Sequence, residues 1–297
     1  MADKEKGFDF WGYAAGILTG VTYGMNPLFG KPLLSHGVSV DTVLFFRYFL
    51  AFVILGLWLL VRRMSFRVTK AQLFRLLILG VTFSLSSITL FLAYDYIPAG
   101  LATTIVFLYP VLVAIISVFL HVYPSWQVWL SICLTFVGVI ILSLPHGSVS
   151  LHWQGLLLSG ASAMSYAVYL VIVNRSTKLR TVKPNVLTFY VLAIGSLTFL
   201  VHHLVGGGTF LAGVSGPEQW AEMAGLAVFP TLISLVTLAI STRRIGAVKT
   251  SVLGVFEPVT AICIGVLVFG ESLTANVIAG IIITIFAVTF MVATGKK

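Results

Sequence analysis

Charged residues are scarce in this sequence. They make up 9% of its 297 residues, whereas a soluble globular domain carries about 25%. Hydrophobic residues make up 59%, and the mean hydropathy is +1.06. This composition excludes an ordinary soluble domain and predicts an integral membrane protein. Residues 191–201 and 278–292 lack the period-two alternation of barrel strands, so we predict an all-α fold.

Cysteines are few, and the histidines fall at the ends of the predicted spans or in loops. Cys133 and Cys263 lie within such spans, which gives no disulfide framework and no metal-ligand spacing. His202 and His203 are adjacent but have no third ligand nearby, so no metal site is predicted. A membrane-embedded enzyme needs a nucleophile with a base, or a metal, at depth. The sequence has no HExxH, GxSxG or Walker motif, which disfavours an enzyme, a cofactor and direct use of ATP.

Ten apolar runs predict ten transmembrane helices. Each run has roughly 20 residues, the length that crosses a bilayer, and polar or turn residues separate it from the next. The predicted spans are 11–34 with a kink at Pro27, 40–61, 73–94, 98–120, 126–144, 155–174, 186–205, 220–241, 246–269 and 273–294.

The basic residues predict the orientation. Sixteen of the 18 Lys and Arg residues fall in segments on the side of the N-terminus, Lys31 falls on the other side, and Arg47 lies within the second span. Basic loops stay in the cytosol, so both termini are predicted to be cytosolic. The same rule accounts for the net charge of +9 without a nucleic-acid partner.

The chain contains an internal repeat. Ile97–Tyr123 aligns with Ile245–Glu271 at a constant offset of 148 residues, which places Tyr109 on Glu257 and a proline after each. We predict two related halves, residues 1–145 and 151–297, of five helices each. Because five is odd, the second half enters the membrane from the opposite side, which gives a 5+5 inverted-topology repeat. Such repeats are typical of secondary transporters.

The second half carries the stretch FEPV…LVFGESLT. With ten spans and an inverted repeat, it resembles the EamA-type branch of the drug/metabolite transporter superfamily over nearly the whole chain. Members usually have a carboxylate like Glu271 where this chain has Tyr123, and Tyr109 replaces the acid of the Glu-Pro pair. The resemblance implies a plasma-membrane carrier that moves amino acids or other small metabolites, often outward, by alternating access. It does not identify the cargo.

Glu257 is the leading candidate site residue. It lies ten residues inside its span, or ~15 Å at 1.5 Å per residue, which is near the midplane of a ~30 Å hydrocarbon core. A carboxylate at that depth usually faces a partner or a wet cavity. On one interpretation, Glu257 pairs with a substrate ammonium group or carries a proton. On the other, its carboxylate has a structural role and accepts hydrogen bonds from the interrupted backbone of a neighbouring helix.

Further polar side chains within the spans are candidates for the same cavity. The hydroxyl of a buried tyrosine needs a hydrogen-bond partner, although tyrosine is also common at the lipid interface. Serine within a membrane span can likewise form hydrogen bonds that hold helices together. The remaining substrate-binding candidates are Tyr109, Tyr23, Asn26, Ser87, Tyr166, Tyr169 and Thr260. Proline interrupts helices, and the predicted helix breaks are at Pro27, Pro110, Pro230 and Pro258.

Arg47 lies ~10 Å inside the second span by residue count. It is predicted to gate the cavity or to contact a substrate carboxylate, or else to pair with an acid near the outer face. The candidate acids are Asp95, Asp41 and Glu271. On the first helix, Gly16, Gly20 and Gly24 form a small-residue stripe that favours close helix packing.

These features predict a secondary carrier for an amino acid or related metabolite in the plasma (inner) membrane, with outward transport favoured by the resemblance. A multidrug or cationic-amine exporter of the same fold is the alternative, and a membrane enzyme is disfavoured. The predicted partners are a small-molecule substrate and membrane lipid. The sequence leaves two questions open. One is whether a proton gradient or the substrate gradient alone drives transport, and the other is whether the protein forms a homodimer.

Overall fold

The computed structural model describes residues 9–93, 95–97, 102, 105–142, 152–206, 211, 213–270 and 274–294. This part of the chain is helical with short connections and contains no strand. The helices are α1 Phe10–Gly24, α2 Asn26–Ser35, α3 Val40–Val61, α4 Lys70–Ala93, α5 Tyr109–Phe119, α6 Trp126–Leu142, α7 Trp153–Arg175, α8 Pro184–Gly206, α9 Pro217–Arg244, α10 Ala247–Leu253, α11 Phe256–Phe269 and α12 Ala275–Thr294.

Helices lie in each of the ten predicted segments within the described residues. Six have the length and hydropathy to cross a membrane: α3, α4, α7, α8, α9, and the run Ala247–Phe269 that contains α10 and α11. Tyr109–Phe119, Trp126–Ile141 and Ile278–Thr294 are apolar but shorter. The protein is therefore a multi-pass membrane protein. Leu144, the predicted end of the fifth span, and Leu273, the predicted start of the last, lie outside the described residues.

Two predicted spans are interrupted. The first divides at Met25, where α1 ends and α2 begins, two residues before the kink expected at Pro27. The ninth divides at Gly254 and Val255, between α10 and α11. α9 is continuous but has a π-helical segment, Ala227–Ile233, in its middle. Each interruption contains or adjoins a proline, which cannot donate a helical hydrogen bond.

Local signals fix several helix starts. The Asp9 carboxylate accepts from the Gly12 N–H at 3.0 Å and caps α1. Thr69 and Gln72 form a reciprocal capping box at α4: the Thr69 N–H donates to Gln72 Oε1 and the Gln72 N–H to Thr69 Oγ1. These bonds satisfy amide donors that a helix leaves unpaired at its first turn.

The helices pack in pairs that join the two chain halves. α6 packs on α12 and α3 on α8, while α4 packs on α7 and α1 on α9. α1 also contacts α11, and α5 contacts α7. Each contact has a counterpart when the first five predicted spans are exchanged with the last five.

The two ends of the bundle differ in charge. At one end, Arg244 pairs with Asp9 at 3.0 Å, and Arg243 donates to the carbonyl oxygens of Val182 and Leu179. We call this the basic end. At the opposite end, His202 Nδ1 lies 3.1 Å from Asp41 Oδ1. The distribution of Lys and Arg along the sequence predicts that the basic end faces the cytosol and that the opposite end faces outward.

Candidate functional site

A cavity of about 430 Å³ lies between the two chain halves. Tyr23, Asn26, Arg47 and Glu257 supply polar groups to its wall, and most of the remaining wall is apolar or glycine. It extends past Lys31 toward the end opposite the basic end. We call it the central cavity. Its size is within the range of small-molecule sites.

Interrupted helices surround this cavity. Pro27 is the second residue of α2 and Pro258 the third of α11, while Pro230 lies in the π-helical segment of α9. Pro110 is the second residue of α5, away from the cavity wall. At the α10–α11 break, the Glu257 N–H donates to the Gly254 carbonyl at 2.9 Å. Non-helical backbone is tolerated at membrane depth where protein or a wet cavity satisfies it.

The Glu257 side chain faces the central cavity from the first turn of α11. Its carboxylate forms no hydrogen bond or ion pair within the described part of the chain. The structural interpretation, in which it accepts hydrogen bonds from a neighbouring broken helix, therefore has no contact to support it. The position fits a carboxylate that receives a ligand.

Arg47 does not form the ion pair that the sequence suggested with Asp41 or Asp95. Its Nε donates to Thr231 Oγ1 at 2.5 Å and its Nη2 to the Pro230 carbonyl at 3.2 Å. Asp41 contacts His202 instead, Asp95 is exposed, and Glu271 lies outside the described residues. The reason is geometric: the π-helical turn of α9 frees a carbonyl, and proline leaves a further acceptor unfilled. These neutral acceptors hold Arg47 away from the outer acids.

The guanidinium nevertheless remains at the cavity. Arg47 Cζ lies 5.2 Å from the centre of the Tyr23 ring, within cation–π distance, and both residues line the central cavity. Arg47 is 8% exposed. A guanidinium has five N–H donors, of which Thr231 and Pro230 use two. The remaining N–H groups can donate hydrogen bonds to a carboxylate or another anionic group.

Tyr109, Tyr166 and Tyr169 were predicted to bind substrate, but the structure places them outside the cavity wall. They form a packed aromatic cluster with Phe83. The rings of Tyr109 and Tyr166 are 4.7 Å apart between centroids, and those of Phe83 and Tyr169 are 5.0 Å apart. Tyr109 is 3% exposed. These rings pack in the core, where the Tyr109 hydroxyl has a hydrogen-bond partner and the Tyr169 hydroxyl is buried without one among the described residues.

Of the other predicted site residues, Asn26 lines the central cavity, and Ser87, Thr260 and Asp95 lie outside its wall. Asn26 lines the cavity, and its Nδ2 donates to the Tyr23 carbonyl at 2.7 Å. Ser87 lies behind the wall, where its hydroxyl is 3.4 Å from that of Tyr48. Thr260 packs against Gly24 of α1. Asp95 lies at the rim of a smaller outer pocket with Asp41 and His202.

The glycine stripe of α1 packs closely against the broken helix. A Cβ atom at Gly20 would lie 2.7 Å from Phe256 Cβ and 3.0 Å from the Leu253 carbonyl oxygen. A Cβ atom at Gly24 would meet the Glu257 carbonyl and Thr260. We call this contact the glycine seam. It holds α1 against the segment that carries Glu257, so the stripe is a packing surface.

Sequence reasoning missed Thr231 and the apolar wall residues Phe91 and Leu226. Thr231 Oγ1 donates to the Leu226 carbonyl at 2.8 Å while it accepts from Arg47. One signal was present: a hydroxyl residue follows Pro230, whose ring leaves the carbonyl four residues earlier without its amide donor. A threonine hydroxyl beside such a proline can fill that acceptor.

The comparisons with known proteins decide the family. The model of the EamA-like transporter family matches residues 10–144 and 153–293. The chain belongs to the EamA-like transporter family. The family and the relatives described next are named as transporters.

Three relatives of this EamA-like chain are named as uncharacterized transporters. Two are from Archaeoglobus fulgidus: one is 26% identical over 62% of this chain and 66% of its own length, the other 25% identical over 91% and 90%. One from Synechocystis is 26% identical over 71% of this chain and 64% of its own length. The chain thus matches slightly less than two thirds of two of these relatives.

A solved structure, described only as the crystal structure of a protein, shares the fold of this EamA-like chain. Its TM-score is 0.80 with 18% sequence identity, and the match covers 96% of this chain and 99% of the other. At that identity the likeness concerns the fold alone.

Proposed function

We propose that this EamA-like protein is a secondary carrier that exports an amino acid or related amine-bearing metabolite across the plasma membrane by alternating access. The central cavity is its substrate site. Glu257 receives the ammonium group, and Arg47 receives the carboxylate with the donors that Thr231 and Pro230 do not use.

The observation that carries this proposal is the unpartnered Glu257 carboxylate in the cavity wall. A charge at membrane depth is costly, and such residues pair or mark a substrate pathway. Arg47 shares the cavity but is held by Thr231 and Pro230. Glu257 and Arg47 carry opposite charges in a wall that also includes Lys31, and neither forms an ion pair with another described residue. This arrangement suits a ligand that carries both charges.

The packing of the helices supports alternating access. Each named contact between the two halves has a counterpart when the first five spans are exchanged with the last five, which is the pattern expected of two related halves. Inverted repeats allow one half to rock against the other around a midplane site. The basic end is closed by the aromatic cluster and the Asp9–Arg244 pair, whereas the cavity extends toward the opposite end. We assign this arrangement to an outward-facing state, with both termini in the cytosol.

A cationic-amine exporter is the second candidate, and the wall of the cavity favours it as well. Tyr23 and Phe91 offer aromatic faces beside the Glu257 carboxylate, which would accept an amine without any second charge. The two candidates differ in their need for Arg47. A zwitterion needs its guanidinium, whereas a simple amine would be repelled by it.

The test is transport in proteoliposomes with a panel of labelled amino acids and cationic dyes. Glu257→Gln preserves the shape of the side chain and removes its charge. We expect it to remain folded and to transport at least ~10-fold more slowly, which corresponds to about 1.4 kcal/mol in the limiting step. Arg47→Lys, which keeps the charge and loses the forked donors, separates the candidates: it should impair amino-acid transport more than amine transport.

Glu218→Gln is the matched control, because Glu218 is an exposed acid at the start of α9. It should transport like the unmodified protein. If folded Glu257→Gln protein transports every substrate at the unmodified rate, the assignment of the central cavity is wrong.

A further inference from the structure

A second cavity lies at the basic end and shares no lining residue with the central cavity. Its volume is about 440 Å³. Its wall combines the ends of α5, α7 and α12 with the starts of α6 and α10. We call it the basic-end cavity. It joins helices of both chain halves, and nothing in the proposed transport cycle uses it.

Two cations line the basic-end cavity, and none of the described residues in its wall is acidic. Lys249 is half-buried and forms no ion pair within the described residues; its Nζ lies 5.8 Å from the centre of the Tyr13 ring. Arg175 is exposed and donates from Nη2 to the Leu120 carbonyl at 3.0 Å. Two like charges without a counter-ion repel each other, and more strongly where water is partly excluded. The cavity therefore favours an anion.

Polar neutral groups complete the wall. Asn174 and Ser125 line the cavity together with Thr294. The Asn174 side chain is held in place, because its Nδ2 donates to the Thr242 carbonyl at 2.9 Å. These groups can donate or accept hydrogen bonds around an oxyanion.

Aromatic residues locate this cavity at the membrane interface. Tyr123 lines the cavity and is 72% exposed, and Trp126, the first residue of α6, is 67% exposed. Exposed Trp and Tyr concentrate at the head-group level of the bilayer. Phe119, one turn before Tyr123, is 78% exposed and lies on the apolar side. The cavity is thus at the depth of lipid phosphate, with an apolar surface beside it for an acyl chain.

We infer that the basic-end cavity binds the phosphate head group of an anionic phospholipid, with Arg175 and Lys249 as its cationic ligands. Basic pockets between transmembrane helices on the cytoplasmic side suit such head groups. Because the wall includes α5 and α6 from the first half and α7, α10 and α12 from the second, the bound lipid bridges the two halves at this end.

Native mass spectrometry of the purified protein with phosphatidylglycerol or phosphatidylcholine tests the inference. We expect phosphatidylglycerol to bind in preference. The double variant Arg175→Gln/Lys249→Gln should bind it about thirtyfold more weakly, given the attraction of two basic residues near a membrane. The control is Lys178→Gln/Arg180→Gln, which removes the same charge from the exposed loop after α7 and should bind like the unmodified protein.

Three results would overturn the inference: no preference for phosphatidylglycerol, an equal loss in the control, or displacement of the lipid by the same concentration of inorganic phosphate. The last result would assign the cavity to a soluble anion. If the double variant does not fold, hydrogen–deuterium exchange of the unmodified protein in nanodiscs provides the answer. Phosphatidylglycerol should protect residues 122–128 relative to phosphatidylcholine, and unchanged exchange there would equally refute lipid binding.

Discussion

The hydroxyl of Tyr109 donates a hydrogen bond of 3.0 Å to the carbonyl oxygen of Ser251. Tyr109 begins α5 in the first chain half, and Ser251 lies in α10, just before the break of the ninth span. A Cβ atom at Gly254 would collide with the same hydroxyl. The bond therefore joins the start of α5 to the break of the ninth span, and Tyr109 supports the break that places Glu257 in the central cavity.

Replacement of Tyr109 by phenylalanine should weaken this support. Tyr109→Phe keeps the ring contacts and removes one buried hydrogen bond, which is worth about 1 kcal/mol. The loss stays modest because the Gly254 N–H also donates to the Ser251 carbonyl. The measurement is the thermal midpoint in detergent, with Tyr123→Phe, at an exposed ring, as the control. Equal midpoints for both variants would show that the bond contributes nothing.

The glycine seam should tolerate no side chain. Gly20→Ala places a methyl group against Phe256 and the Leu253 carbonyl, and overpacking of a tight contact costs about 1–3 kcal/mol. We expect a lower thermal midpoint and slower transport. Gly160→Ala is the control, because a Cβ atom there meets nothing within 4 Å. If Gly20→Ala were as stable as Gly160→Ala, α1 would not be held by close packing at this point.

Thr231 should stabilise the protein through Arg47. Thr231→Val removes the acceptor of the Arg47 Nε bond and the donor to the Leu226 carbonyl, both buried. An unsatisfied buried group costs about 1–3 kcal/mol, so the free energy of unfolding should fall by that amount. Thr289→Val removes an exposed hydroxyl bonded only within its helix and should be near neutral. Similar stability of the two variants would contradict the role assigned to Thr231.

Glu257 should be the residue that makes the transport rate depend on pH. Among the described residues that line the central cavity, Glu257 is the one carboxylic acid. If it carries the coupling proton, initial rates measured across a pH series should vary in the unmodified protein and be flat in Glu257→Gln. The Glu218→Gln control should keep the unmodified profile. A Glu257→Gln profile parallel to the unmodified one, with weaker substrate affinity, would leave Glu257 as an ammonium contact and exclude it as the proton carrier.

Impermeant thiol labelling tests the orientation. Cys133 and Cys263 are exposed, so both are first replaced by serine. A cysteine at Ser35, near the end of α2, should then label in intact cells, and one at Lys178, at the basic end, should label only after permeabilisation. Both positions are exposed, so access across the membrane decides the result. The reverse pattern would place the basic end outside.

The sequence predicted the helices better than the site. α3 begins and ends at the predicted residues, Val40 and Val61, because uninterrupted apolar runs decide where a membrane helix lies. The approximate position of the break before Glu257 also followed from Pro258. These features depend on neighbouring residues and on length, which a single sequence displays.

The partners of polar side chains could not be predicted in the same way. The depth of Arg47 along its helix predicted contacts with the acids near the outer face. In the structure, Arg47 instead donates to Thr231 and to the Pro230 carbonyl. Both acceptors lie in the π-helical segment of α9, which the sequence did not predict. The depth of Tyr109 led to its prediction as a cavity residue, but its ring packs against that of Tyr166 in the aromatic cluster, since depth along a helix does not give the direction of a side chain. That direction depends on which helices pack together, and this is a property of the whole bundle.

The glycine seam also has a mechanical consequence. α1 has 15 residues, which makes a rod of ~22 Å, and the glycines in its middle pack against the side chains of Leu253 and Phe256. Its Tyr23 end belongs to the wall of the central cavity, and its Asp9 end is tethered to Arg244 at the basic end. We expect such a rod to tilt as a lever about the seam, so that opening at one end brings closure at the other. One helix would then prevent a continuous leak through the membrane.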